Sequence, residues 1–207
     1  MTEDATTLSS LPLFPLGTVL FPGGELPLRV FEVRYLDLIT KCQKTGAPFG
    51  VVHLREGSEV QVAGAPEERL ETVGTMAHIV AMERTQAGLL HVRCEGSQRF
   101  HVDHQKRLKH GLWVADVTLL PNDAPILIPD DLKHTSQALL QLRNTLRERG
   151  SIGPDGEASS YEDCGWVANR WCELLPLSTE VKQQLMVLDS PLLRLELVAD
   201  ILNRAGV

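Results

Sequence analysis

The sequence predicts an α+β protein in which a strand-rich part precedes a helical part. Two observations lead to this prediction. Between residues 25 and 120 apolar and polar residues alternate, as in strands, whereas beyond residue 131 apolar residues recur at helical spacing. A proline-bearing segment, PNDAPILIPDD (121–131), joins the two patterns. We therefore expect a β-rich domain over residues 1–122 and a helical bundle over residues 123–207.

Short strands separated by turn-like sequences such as REGS and EGS are predicted in the first part. They are the segments 25–30, 48–54, 60–62, 74–83, 89–95, 99–102 and 112–120. One helix interrupts them, because Phe31, Tyr35, Leu38 and Cys42 recur at helical spacing before Gly46.

Four helices are predicted in the second part. The first carries a stripe formed by Leu132, Leu139, Leu142 and Leu146. A flexible loop (149–160) follows, and Ser160 with Asp163 resembles a capping box that opens the second helix. Ser178 is the predicted N-cap of the third helix, and Ser190-Pro191 supplies the N-cap and first position of the fourth.

The stretch LPLFPLGTVLFPGGELPLRVFEVRY, residues 11–35, holds four prolines in a mostly apolar run. Proline cannot donate a hydrogen bond to a strand ladder, yet the run is too hydrophobic for a loop in water. We expect extended backbone at a sheet edge, broken by turns, with the apolar side chains packed on a core. Such an edge is protected against pairing with stray chains.

The overall charge limits the classes of partner. The formal net charge is -7, which disfavours a general nucleic-acid binder. The acidic N-terminus and the lack of an apolar run of about 18 residues predict a cytoplasmic protein without a membrane partner. No Cys-x-x-Cys spacing is present, so buried thiols in a reducing compartment are expected at Cys42, Cys94, Cys164 and Cys172.

Three stretches together resemble the N-terminal substrate-binding domain of Lon proteases, a family that includes stand-alone versions. The first is residues 11–35, with the pattern P-L-x-x-x-L-F-P-G-x-x-L-P-L. The second is residues 71–102, with G-x-x-R-F, and the weaker third is residues 166–202. The resemblance implies a PUA-like β pseudo-barrel with one inserted helix, followed by a helical bundle. It also implies a module that binds extended or unfolded polypeptide, with a possible link to proteolysis in trans.

No catalytic site can be assigned from the sequence. There is no G-x-x-x-x-G-K-[ST] phosphate loop, and no nucleophile can be paired with a base. We therefore expect neither ATP hydrolysis nor peptidase activity, and no cofactor; a hydrolase remains a minor alternative. His101, Asp103 and His104 could suggest a metal, but a solvated strand end is the favoured interpretation.

Four residues are candidates for contact with a polypeptide or protein partner. Arg29 alternates away from its strand's apolar face and Arg34 lies off the helix stripe, so both are expected to be exposed. Tyr35 lies on the stripe, which also suits core packing. Trp166 is about 200° from Cys164 around its helix, and packing between the two domains is favoured over a free partner contact.

The alternative function is that of a PUA-like RNA- or nucleotide-binding protein. Its candidate residues are Arg99, Lys106, Arg107 and Lys109, a local basic cluster in an acidic chain. The aromatics nearby, Phe100 among them, fit core positions, so a solvated basic turn is favoured. The sequence leaves the partner's identity and the oligomeric state open.

Overall fold

The computed structural model describes residues 6–59, 67–151 and 158–206. The chain divides into two compact units, residues 1–122 and 123–207. The first contains β1 (Thr7–Leu16), β2 (Glu25–Val30), α1 (Val33–Thr45), β3 (Phe49–Glu56), β4 (Arg69–Gln86), β5 (Leu89–Arg107) and β6 (Trp113–Leu119). The second contains α2 (Lys133–Glu148), α3 (Cys164–Leu174), α4 (Thr179–Val187) and α5 (Pro191–Ala205). These elements confirm the α+β class. The predicted strand at 60–62 and half of the predicted loop at 149–160 lie outside the described residues.

The six strands form one sheet in the order β2-β5-β4-β3-β1-β6. A further pairing joins β5 to β6, so β5, β4, β3, β1 and β6 make a closed cycle of strand pairings. Within the described residues β1 and β3 run parallel, and the other paired strands are antiparallel. Among the described strands, β2 pairs with β5 alone and therefore forms an edge.

The first proline-bearing strand, β1, lies inside the sheet, so its predicted edge position is wrong. Leu13 pairs with Gly50 of β3 on one side and with Trp113 of β6 on the other. Pro12 and Pro15 are three residues apart, so their nitrogens face opposite neighbours and each neighbour loses only one donor. The edge interpretation does fit Pro27, which lies in β2.

The predicted EGS turn and its two flanking strands are one continuous strand, β5. Its first half pairs with β2 and its second half with β6. Gly96 lies where the partner changes, and its N–H donates to the Gly24 carbonyl while its own carbonyl accepts from Gly23. A side chain at Gly96 would collide with the Phe21 carbonyl oxygen. The glycine therefore marks a close approach between two backbones inside a strand, and the chain does not reverse there.

The main core of the first unit lies between α1 and the sheet. The alternation predicted for β2 is confirmed, since Leu26, Leu28 and Val30 are buried there. Tyr35, Leu38, Ile39 and Cys42 of α1 pack into the same core. Phe31 does not belong to the helix as predicted: α1 begins at Val33, and Phe31 is 52% exposed.

In the second unit, α3 packs against α2, α4 and α5. The predicted caps are confirmed for α4 and α5, where the side chains of Ser178 and Ser190 accept hydrogen bonds from backbone N–H groups. The capping box predicted at Ser160 is wrong, because α3 begins later and is capped by Asp163. The Asp163 carboxylate accepts from the N–H of Trp166, and its other oxygen accepts from the N–H of Ile126. This second bond, to a segment far away in sequence, favours the later start.

A buried arginine joins the helices of the second unit. The guanidinium of Arg194, on α5, is 1% exposed and donates to the Asp123 carboxylate at 2.6 Å and to Asn169 Oδ1 at 2.9 Å. It also donates to the carbonyls of Leu185 and Leu188. Because these carbonyls close the C-terminal end of α4, Arg194 holds α4, α3 and α5 together.

Candidate functional site

The four residues predicted to contact a partner differ in their burial. Arg29 is exposed on β2, as predicted. Arg34 and Tyr35 are buried at the start of α1, and Trp166 belongs to the second unit. Of the four, Arg29 is the one whose charged group faces solvent.

Arg34 is only 6% exposed, so its predicted exposure is wrong. It donates to the Gly111 carbonyl at 2.7 Å and forms ion pairs with Glu32 at 3.2 Å and Glu68 at 3.9 Å. The turn between β5 and β6, which contains Gly111, covers the first turn of α1 and thereby removes Arg34 from water. A glutamate at this position would be buried between two carboxylates. Arg34 therefore stabilises the fold and cannot serve as an exposed charge at the edge of a binding surface.

Tyr35 lies in the core, as its place on the helix stripe indicates. Its ring stacks on Phe14 with centroids 4.0 Å apart and is 3% exposed. Burial raises the pKa of its hydroxyl, and the neighbouring Arg34 only partly opposes this effect. Tyr35 therefore stays neutral at physiological pH and packs the first turn of α1 onto β1.

Trp166 packs within its own unit. Its ring meets Tyr161 edge-on with centroids 4.7 Å apart, and the guanidinium groups of Arg143 and Arg170 each lie 5.7 Å from its centroid. All three partners belong to the second unit. These contacts dock α3 onto α2 and the preceding turn. The packing of Trp166 between domains stays a prediction.

The predicted basic cluster is not a continuous basic surface. Arg99 is 4% exposed and lies in the core. Arg107 forms an ion pair with Glu68 at 3.3 Å, which offsets its charge. Lys106 and Lys109 are exposed. Two lysines beside a neutralised arginine give little for a phosphate backbone to bind, so the nucleic-acid alternative is not favoured.

The histidine-rich end of β5 forms a hydrogen-bonded row. Asp103 accepts from the Thr118 hydroxyl at 2.7 Å, and His101 Nδ1 lies 3.1 Å from its other oxygen. These two bonds, the threonine's first, lower the pKa of the Asp103 carboxyl. Across the described residues, no group of three or more His, Cys, Asp or Glu side chains is arranged to hold a metal ion.

Among the described residues of the first unit, four large apolar side chains are exposed, and we call them the apolar margin. They are Phe31 (52%), Val33 (73%), Val80 (48%) and Met82 (37%). The sequence interpretation missed them because it assigned Phe31 to the core and did not divide β4 into buried and exposed faces. The spacing of Val80 and Met82, two residues apart beside buried Ala77, is the signal that could have indicated an exposed row.

Strand register places the apolar margin at one end of the unit. Leu28 of β2, Val92 of β5 and Met82 of β4 stand side by side. Strands β2 and β4 are therefore about 10 Å apart across β5. Phe31 directly follows Val30, the last residue of β2, and so lies at the same end of these three strands.

Comparison with known proteins gives this geometry a context. Residues 10–204 match the family model of the ATP-dependent protease La (LON) substrate-binding domain. The chain belongs to this family.

Several Lon proteins are similar to this Lon substrate-binding domain. The Lon protease of Anaeromyxobacter dehalogenans is 27% identical over 94% of the chain, and that of Brevibacillus choshinensis is 24% identical over 93%. The chain spans only 23% and 24% of the length of these two relatives. The match therefore concerns the part of Lon that the family model describes.

Solved structures of Lon N-terminal domains share the fold. The Lon N-terminal domain protein from Xanthomonas campestris superimposes with a TM-score of 0.72 at 31% identity, covering 93% of this chain and 98% of that one. The N-terminal domain of the Mycobacterium avium complex Lon protease gives a TM-score of 0.59 at 20% identity, covering 92% and 96%. In the described part of this Lon domain, no helix has the length and apolar character needed to cross a membrane.

Proposed function

We propose that this Lon substrate-binding domain binds extended or unfolded polypeptide without catalysing a reaction, and that it passes the bound chain to a protease in trans. The apolar margin on a member of this family carries the proposal. The closed cycle of strand pairings supports a PUA-like pseudo-barrel, and the packing around α3 supports a helical bundle. The four buried free thiols support a reducing, cytoplasmic setting.

The physical basis of the proposal is the cost of exposed apolar area. Phe31 and Val33 are exposed and flank Glu32, and Val80 and Met82 form a second exposed pair. Several exposed apolar side chains at one end of a folded unit are a feature of binding surfaces. Unfolded polypeptides expose the apolar side chains that folded proteins bury, so burial of both surfaces favours their association.

Replacing Phe31 and Val33 together with serine is expected to weaken binding of an unfolded protein about tenfold or more. Burial of the exposed parts of these two side chains contributes about 1.4 kcal/mol or more, which corresponds to that factor. The fold should change little because both side chains are more than half exposed. Binding of a reduced, carboxymethylated protein, followed by fluorescence anisotropy, measures the effect.

A matched control lies in the second unit. Leu193 and Leu197 of α5 are 43% and 38% exposed, and the double replacement Leu193→Ser with Leu197→Ser removes similar apolar area elsewhere. This control should bind as the unchanged protein does. An equal loss of binding in both double variants would show that general surface hydrophobicity, and not the apolar margin, governs the affinity.

Arg29→Glu is expected to slow association with acidic unfolded polypeptides while leaving the dissociation rate and the fold nearly unchanged. Arg29 is exposed on β2 beside the apolar margin, and rim charges act mainly through long-range attraction before contact. Stopped-flow association at low and high salt measures the effect, with the exposed Lys106→Glu as control. A rate that is the same for Arg29→Glu and the unchanged protein at low salt would exclude Arg29 from the rim.

A further inference from the structure

One side of β4 is unpaired over half its length. Strand β3 pairs with β4 only as far as Ala77, which lies opposite Phe49. From His78 to Gln86, β5 continues to pair with one side of β4, and no strand in the described part of the chain pairs with the other. Residues 80–86 are all exposed. Backbone N–H and C=O groups therefore face solvent along this outer edge.

The edge strand β2 and the outer edge of β4 differ in their protection. Edge strand β2 carries Pro27, a residue that commonly blocks strand addition. Residues 78–86 of β4 contain neither proline nor lysine. Bulges bend β4 near Ile79 and near Gln86. Between the bulges, four successive residues of β4 pair with β5 without interruption: Ala81, Met82, Glu83 and Arg84.

This four-residue run would select a partner segment by its backbone and by which side chains lie on each face of the sheet. The charge of the segment would matter little. Glu83 and Arg84 have opposite charges, so the run is neutral although the chain carries a net charge of -7. Met82 pairs with buried Val92 and therefore points to the face of the sheet that packs on the core. A residue added opposite Met82 would extend that face and should be apolar, whereas its neighbours would face solvent and should be polar.

We propose that an unfolded polypeptide segment with alternating apolar and polar residues adds to this domain as a strand, along the outer edge of β4 from Ala81 to Arg84. The proposal rests on the proposed function and names how and where the polypeptide binds. Hydrogen bonds between backbones provide the affinity and are the same for every sequence, while the position opposite Met82 requires an apolar side chain. The apolar margin borders this edge through Val80 and Met82.

A synthetic peptide that alternates leucine and threonine tests the backbone contribution directly. In such a strand the backbone N–H groups of the leucines all face one side and those of the threonines face the other. Each set can be N-methylated, which removes its donors without changing a side chain. Methylation of the set that faces β4 should weaken binding to the full chain about tenfold or more, as expected for the loss of one or two hydrogen bonds. Methylation of the other set should leave the affinity within about twofold. Equal affinities for both methylated peptides would overturn the proposal.

Proline substitutions in β4 provide the complementary test. Backbone N–H groups of consecutive strand residues face opposite sides. One of the two substitutions Met82→Pro and Glu83→Pro therefore removes a donor that faces away from β5 and leaves the pairing with β5 intact, whereas the other removes a donor to β5. Circular dichroism identifies the variant that keeps the fold, and that variant should bind the peptide about tenfold less tightly or worse. Glu25→Pro is the control. The backbone nitrogen of residue 25 points to the same side of β2 as that of Pro27, so this variant should keep its fold and bind the peptide normally.

The possible outcomes separate the mode of binding from the function. If the unchanged protein binds neither the peptide nor an unfolded protein, the proposed function and strand addition both fail. If it binds both, but a folded β4 proline variant still binds the peptide normally, strand addition is wrong while polypeptide binding stands. If the unchanged protein sediments as a dimer and that proline variant as a monomer, without loss of peptide binding, the edge pairs with a second copy of the chain and the proposal is overturned.

Discussion

Arg194→Met is expected to destabilise the helical unit by about 3–5 kcal/mol, because it removes the buried guanidinium that binds a largely buried carboxylate. The methionine fills most of the space but donates no hydrogen bond. The Asp123 carboxylate, Asn169 Oδ1 and the carbonyls that end α4 would all lose the donors that satisfy them. Loss of several buried bonds at once makes this change far larger than that of a typical surface substitution.

Urea unfolding followed by circular dichroism measures the free energy of unfolding for this variant. Arg204→Met, at an exposed position near the end of the same helix, is the matched control and should change stability by less than about 0.5 kcal/mol. A loss below about 1 kcal/mol in Arg194→Met would mean that water or neighbouring groups satisfy the Asp123 carboxylate equally well, which would contradict the central role assigned to Arg194.

Phe100→Ala is expected to destabilise the strand-rich unit by about 3–5 kcal/mol. The ring is fully buried, and its tip lies 2.7 Å from where a Cβ atom would stand on Gly50 and on Gly74. It therefore fills the space above two residues that have no side chain. Neither glycine can move a side chain into the vacated volume, so the cavity can shrink only by movement of other neighbours such as Leu13 and Val52. The cost should therefore lie toward the upper part of this range.

The matching control is Phe31→Ala, since Phe31 is the same residue type but 52% exposed. It should reduce the free energy of unfolding by less than about 1 kcal/mol. Thermal unfolding of the two variants gives the comparison. Similar losses of stability would indicate that Phe31 is buried in solution, which would also remove it from the apolar margin.

Local patterns were predictable where the physical cause is local. The alternation in β2, the end of α1 at Gly46 and the caps Ser178 and Ser190 all depend on residues adjacent in sequence, and each was predicted correctly. The capping box at Ser160 failed because the Asp163 carboxylate has a second partner, Ile126, that is remote in sequence.

Residues whose environment depends on distant segments could not be placed. Arg34 looked exposed because it lies off the stripe of its helix, but the turn that buries it is 77 residues away in the chain. Phe31 looked buried because its spacing continues the stripe, but Glu32 is the N-cap and the helix begins after it. Helical spacing indicates which residues share a face and leaves open what covers that face.

The candidate site follows the same division. Arg29 could be assigned to the exposed face of its strand from alternation alone, and it is exposed. The unpaired edge of β4 could not be inferred, because it exists only where β3 ends opposite Ala77 while β5 continues. The sequence indicates a module that binds extended polypeptide, and the strand pairings are needed to locate this unpaired edge.

The position of β1 between β3 and β6 also determines when the strand-rich unit can fold. Leu13 pairs with Trp113, exactly one hundred positions later in the chain, so the cycle cannot close until β6 has been synthesised. Such long-range pairing makes folding slow compared with that of helical proteins of similar size. While the ribosome is still making the first unit, β3 is available to pair with one side of β1, but the strand that pairs with the other side, β6, has not yet been made. A newly made chain of this Lon domain therefore passes through a period in which it exposes the same kind of unpaired apolar strand that we propose it later binds.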